Sequence, residues 1–156
     1  MKIVRFFSSD EINKAFNDAD LDKNNYIDFN EFCITFKKFD DITDNIRDLM
    51  KDIFLFVDGD GFGSSKDYLL NFIEYKNCLE AQPTESESTK DFFVKMLTNL
   101  VFKNKTTINK DWFDEFYKRV FRTCEQENEN QNAFDLLKNE DGLITRERFM
   151  EYIDQQ

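Results

Sequence analysis

The sequence predicts an all-α protein of two lobes, each built from a pair of helix–loop–helix units. Three observations predict it. Apolar residues recur at helical spacing along most of the chain, while a single Pro and four Gly leave few of the tight turns an all-β fold requires. Between two helical stretches lies a twelve-residue run dense in side-chain oxygen, Asp20 to Glu31. Runs that align with it begin at 58, 101 and 137, so the 156 residues read as four repeats.

The first repeat opens with Ser8 and Glu11 at the spacing of a capping box. Its first helix then carries Ile12, Ala15, Phe16 and Ala19 on one face. In the loop, Asp20, Asp22 and Asn24 offer side-chain oxygens and Tyr26 a backbone carbonyl. Asp28 offers a direct or water-borne contact, and Glu31 both carboxylate oxygens. A hard cation such as Ca2+ takes about six to eight oxygens, so this spacing can complete a shell. Ile27 is an apolar anchor for pairing with a second loop. Phe29, Phe32, Cys33 and Phe36 stripe the exit helix. The run resembles an EF-hand calcium loop, and the resemblance implies Ca2+ as ligand, with Mg2+ an alternative at rest. Asn25 stands where that family has Gly, at a turn that needs positive φ; Asn tolerates this better than most residues.

The other repeats are eroded. Ile46, Leu49, Met50, Ile53, Phe54 and Val57 line a helix leading into 58–69. There Asp58, Asp60 and Gly63 match ligand or turn positions. Phe62, Lys66 and Leu69 replace ligands, so this loop is expected to be degenerate, with an irregular site using Asp67 left open. Residues 81–89, which hold the sole Pro (Pro83), read as a linker. Phe92, Phe93, Met96, Leu97, Leu100 and Val101 line the next helix. In the third loop Ile108 keeps the apolar anchor, but Val101 and Trp112 occupy its first and last positions and Lys103 and Lys105 sit between. Its exit helix carries Trp112, Phe113, Phe116, Val120 and Phe121. Glu125 to Gln131 reads as a turn. In the fourth loop Asn139, Asp141, Gly142 and Ile144 fit, but Leu137 and Arg148 remove the two anchoring carboxylates. Neither of these last two loops is expected to bind calcium. The even spacing resembles the calmodulin superfamily over nearly the whole chain. It implies an EF-hand pair in 1–80 and another in 90–156.

Composition narrows the function. A formal net charge of -11 disfavours nucleic acid and anionic membranes and favours cations and basic partners. No apolar run approaches a membrane span, and Met1 to Phe7 is too short for a signal peptide. The absence of His removes His-dependent catalysis and metal binding, and no glycine-rich phosphate loop is present, so an enzyme is not expected. Cys33, Cys78 and Cys124 are odd in number and widely spaced, which suits reduced thiols in a cytoplasmic protein. Two readings follow. One is a sensor that couples calcium at a single loop to partner binding. The other is a myosin light-chain-like subunit that clamps a basic amphipathic helix, such as a myosin neck motif, without regard to calcium. Met50, Phe92, Met96, Trp112, Phe116 and Met150 are the candidates for a partner groove.

Overall fold

The computed structural model describes residues 8–58, 68–121 and 127–155, the side chains of 121 and 127–130 excepted. Residues Met1 to Phe7, Asp60, Phe62, Gly63, Lys66, Asp67 and Cys124, and the Phe121 side chain, lie outside that description. Among the described residues are eight helices: α1 Ser9–Ala19, α2 Phe29–Thr35, α3 Asp44–Asp58, α4 Phe72–Glu80, α5 Thr89–Phe102, α6 Lys110–Phe121, α7 Glu127–Leu137 and α8 Arg146–Asp154. Two short strands, β1 Thr107–Ile108 and β2 Ile144–Thr145, pair antiparallel with Ile108 opposite Ile144. This mostly helical arrangement matches two pairs of EF-hands.

The fourfold repeat is written in the helix caps. Each exit helix begins with a side chain that accepts the N–H three residues on, satisfying one of the orphan donors of a helix start. The caps are Asp28 for Glu31, Asn71 for Glu74, Asn109 for Trp112 and Thr145 for Arg148, at 2.8, 2.8, 2.9 and 3.2 Å. One residue before each cap stands a buried aliphatic: Ile27, Leu70, Ile108 and Ile144. These pair within each half, Ile27 with Leu70 through an isolated bridge and Ile108 with Ile144 in the strand pair.

That register corrects the second loop. The frame 58–69 puts Ser65 opposite Ile27, whereas the structure puts Leu70 there. The last position is therefore Glu74, not Leu69, and the loop runs five residues longer than the first. A further correction concerns 125–131. Helix α7 already begins at Glu127, inside the expected turn. From 127 to 131 the chain holds no Gly or Pro, and its Glu and Gln are good helix formers, so the polarity of these residues marks a polar helix rather than a break.

The buried side chains form one hydrophobic cluster that runs through both halves. Helix α3 packs on α2 and α4 of its own half and on α5 and α6 of the other. Aromatic rings make the seam. Phe36 and Phe39 of the first half meet Phe92 and Phe93 at centroid distances of 5.0–6.2 Å. Phe56 meets Trp112 and Phe116 at 6.2 and 5.9 Å, with the Arg119 guanidinium 4.7 Å over its ring.

Candidate metal centre

The first loop is set between two capped helices. Ser8 accepts from Glu11 N and the Glu11 carboxylate accepts from Ser8 N, at 3.2 and 3.4 Å, which fixes the start of α1. Ile12, Phe16 and Ala19 bury its inner face and bring Asp20 to the mouth of the loop. At the other end Asp28 and Glu31 form the capping box of α2, so two of the candidate ligands also start the exit helix.

Within the loop the carboxylates are held by backbone donors. Glu31 Oε2 accepts from Leu21 N at 2.7 Å and from Asp22 N at 3.3 Å, and Glu31 Oε1 accepts from Asp28 N at 3.0 Å. Asp20 accepts from Asn24 N and Asn25 N at 3.2 and 3.0 Å. Asn24 Oδ1 accepts from Tyr26 N at 3.0 Å. Asn25 adopts φ 68°, the positive value expected of its position. Oxygens of Asp20, Asp22 and Glu31 lie within 4.8 Å of one another. Asp20 and Glu31 are buried, whereas Asp22 and Asn24 are exposed and Asp28 is half-buried.

Three carboxylates this close repel one another in the absence of a counter-charge. Asp22, although exposed, feels it: desolvation first, then the charges of Glu31 and Asp20 with a side-chain contact from Asp20, push its carboxyl up against the lowering bond from Asn24 N. A divalent cation would relieve that crowding. The donor set is all oxygen, hard, and open on one side to water, which fits Ca2+ or Mg2+ rather than a soft metal. Asp20, Asp22 and Glu31 are brought together as expected. Asn24, Tyr26 and Asp28 lie between them in the same loop.

The second loop repeats this skeleton. Tyr68 N donates to Asp58 Oδ2 at 2.9 Å, as Asn25 N does to Asp20 Oδ2. Tyr68 takes φ 64°, close to that of Asn25. Asn71 N donates to Glu74 Oε1 at 3.0 Å, as Asp28 N does to Glu31. Asp58 and Glu74 are both fully buried. A twelve-residue ruler passes over Glu74. The signal that finds it is the cap pattern Asn71-x-x-Glu74 directly after the apolar anchor Leu70, which mirrors Ile27-Asp28-x-x-Glu31.

The groove candidates lie inward. Met50, Phe92, Met96 and Phe116 are buried, and Trp112 and Met150 are half-buried against the core. Among the described residues no helix is long and apolar enough to cross a membrane.

No curated protein matches the chain. Residues 11–39 match the family described as EF hand domain, a stretch that contains most of α1, the whole loop and all of α2. Residues 11–39 are thus an EF-hand domain with an acidic loop suited to a calcium ion.

Proposed function

We propose that the protein is a calcium sensor: Ca2+ at Asp20, Asp22, Asn24, Tyr26, Asp28 and Glu31 changes its affinity for a partner protein. The observation that carries this is the convergence of three carboxylates within 4.8 Å inside a matched EF-hand domain. Glu31 supplies the link from ligand to fold. It is at once a candidate ligand and the third residue of α2, where its carboxylate also caps the helix, so a cation that draws on that carboxylate acts on the start of the helix. Phe36, the C-cap of α2, packs against Phe92 and Phe93, which gives a movement of α2 a route into the second half.

The partner we infer is a basic amphipathic helix, since the chain carries -11 and its apolar faces hold Met and Phe. Met50, Phe92, Met96 and Phe116 are buried, so this partner needs the helices to part before it can bind. A second reading, the light-chain-like clamp, is favoured by Trp112 and Arg148 at the last position of the third and fourth loops, where neither can act as a carboxylate ligand. Capture of partners on the immobilised intact chain, in calcium and in chelator, separates the two. Calcium-dependent retention supports the sensor. Equal retention in both favours the clamp, and a calorimetric titration with no binding at micromolar to millimolar calcium overturns the sensor.

A further inference from the structure

The loops of the second half invert the chemistry of the first. In the first loop the last residue, Glu31, is an acceptor that faces the other acceptors Asp20 and Asp22, an arrangement that calls for a cation between them. In the third loop the last residue is Trp112, and its indole N–H donates directly to the carbonyl of Val101, the first residue. In the fourth loop the last residue is Arg148. Its guanidinium pairs with Glu151 of α8 at 3.2 Å and, through its other amino group, reaches the carbonyl of Leu136, next to the first residue, in a long and solvent-exposed contact of 3.4 Å.

Arg146 adds a cross-link. It leaves β2 at the start of α8 and reaches over to the end of α5 and the third loop, where it donates to Asn99 Oδ1 of α5 and, at 3.3 Å, to the carbonyl of Lys103. Its guanidinium also lies 5.5 Å over the Phe102 ring. A cation fixed to the chain thus gathers oxygens at the mouth of the third loop. Arg suits this task because its planar fork presents several donors in fixed directions and stays charged at any physiological pH.

We propose that the second half carries its own closing groups: Trp112, Arg146 and Arg148 tie its loops shut from within, so that its helix arrangement does not depend on a divalent cation. The inference stands on the third and fourth loops alone and does not require calcium at the first. It assigns a role to two residues that read, by their position, only as lost ligands. It also makes the molecule asymmetric in its response, with one half open to the ion and the other deaf to it.

Amide exchange on the intact chain tests this. Protection across 101–112 and 137–148 is read relative to the core amides of α5, so that any global stabilisation by calcium cancels. The expected result for the unaltered protein is the same relative protection in calcium and in chelator, within about twofold. Arg146→Met is expected to lose about tenfold relative protection at Ile108 and Ile144, calcium not restoring it, with Arg146→Lys in between. Trp112→Phe keeps an aromatic side chain but loses the indole N–H along with the five-membered part of the ring, and is expected to speed exchange locally around 103–107. The proposal is overturned if calcium selectively raises the protection of these loops about tenfold in the unaltered protein. It is also overturned if both Arg146→Met and Trp112→Phe leave exchange there unchanged. Should Arg146→Met fail to fold, Trp112→Phe and the calcium comparison decide.

Discussion

Replacing Glu31 by Gln changes one atom type at the point where ligand, cap and loop closure meet. The residue is 4 % exposed and accepts from three backbone N–H groups, at 2.7, 3.0 and 3.3 Å. Gln keeps one acceptor oxygen but turns an NH2 toward donors that a carboxylate oxygen satisfied. Leaving a buried donor unmet costs roughly 1–3 kcal/mol, so the calcium-free fold itself loses stability. For the ion the loss is larger. Disturbing groups that only support a ligand weakens metal binding by about 10–100-fold, so removing the closing carboxylate is expected to cost at least about 100-fold. The assay pairs calorimetric titration with thermal melting. In the unaltered chain, calcium at about 100 times its dissociation constant adds roughly 2.7 kcal/mol. At about 2–4 °C per kcal/mol for a chain of this size, the melting point rises by roughly 5–10 °C. Glu31→Gln is expected to abolish that rise, whereas Glu147→Gln, exposed in the first turn of α8, leaves it intact. Calcium affinity within about threefold of the unaltered chain in Glu31→Gln would refute the assignment, since each tenfold is about 1.4 kcal/mol and the carboxylate would then contribute under half of that.

Three more perturbations follow from the structure. Burial, with the neighbouring Asp48 charge, pushes Asp52 up to about 7, so its folded-state value lies above the unfolded one. The proton is held more tightly in the folded chain, and the resulting destabilisation is absent below pH 4 and grows as pH rises through about 7. The full displacement would be worth about 4 kcal/mol. Because Asp52 is only partly buried, screening by water reduces this to about 1–2 kcal/mol. Asp52→Asn is expected to recover that much at pH 8 and little at pH 4; denaturant melts with the same gain at both would count against it. Phe93→Ala removes a fully buried ring shared by Phe36, Phe39 and Phe92, at a cost of about 3–5 kcal/mol. Because the seam is continuous, far-UV dichroism and Trp112 emission should shift to one common midpoint, and two separated midpoints would show that the halves unfold independently. Asn25→Val forces a β-branched residue to φ 68° and is expected to cost roughly 1–3 kcal/mol. Asn25→Gly should be neutral or stabilising by up to about 1 kcal/mol, as chemical denaturation of the pair would reveal.

The convergence of Asp20, Asp22 and Glu31 was legible because its information is local: these carboxylates and the anchor Ile27 fall in twelve consecutive residues, and each imposes its own chemistry. The anchors Ile108 and Ile144 were legible for the same reason, and they pair as their positions in the repeat imply. The second loop was misaligned because Asp58-Gly59-Asp60-Gly61 imitates the start of a loop of standard length, while its true end is set by Leu70 finding Ile27 across the pair. A long-range bridge is not written in spacing. The roles of Trp112 and Arg148 were hidden differently. A sequence shows that a ligand has gone, but the carbonyl that the replacement reaches is visible only once α5 and α7 end beside it. Trp112 also belongs to the seam through Phe56, so its emission reports on both halves and not on the second alone.

The extra length of the second loop has a consequence for which changes this fold can absorb. From Tyr68 to Glu74 the chain has the same number of residues as from Asn25 to Glu31, so all five additional residues fall between Asp58 and Tyr68. Lengthening a closed loop from twelve residues to seventeen costs only roughly 0.3 kcal/mol in closure entropy, because the dependence on length is logarithmic. The entering arm is therefore a place where insertions are thermodynamically quiet. The leaving arm is the opposite. Bridge, cap and buried carboxylate occupy Leu70, Asn71 and Glu74, so a single residue added there would lift Leu70 out of its bridge, move the cap off α4 and displace Glu74 together. Length drift in such loops should accumulate on one side only, and a rule that measures from the front will lose the very residues that stay fixed at the back.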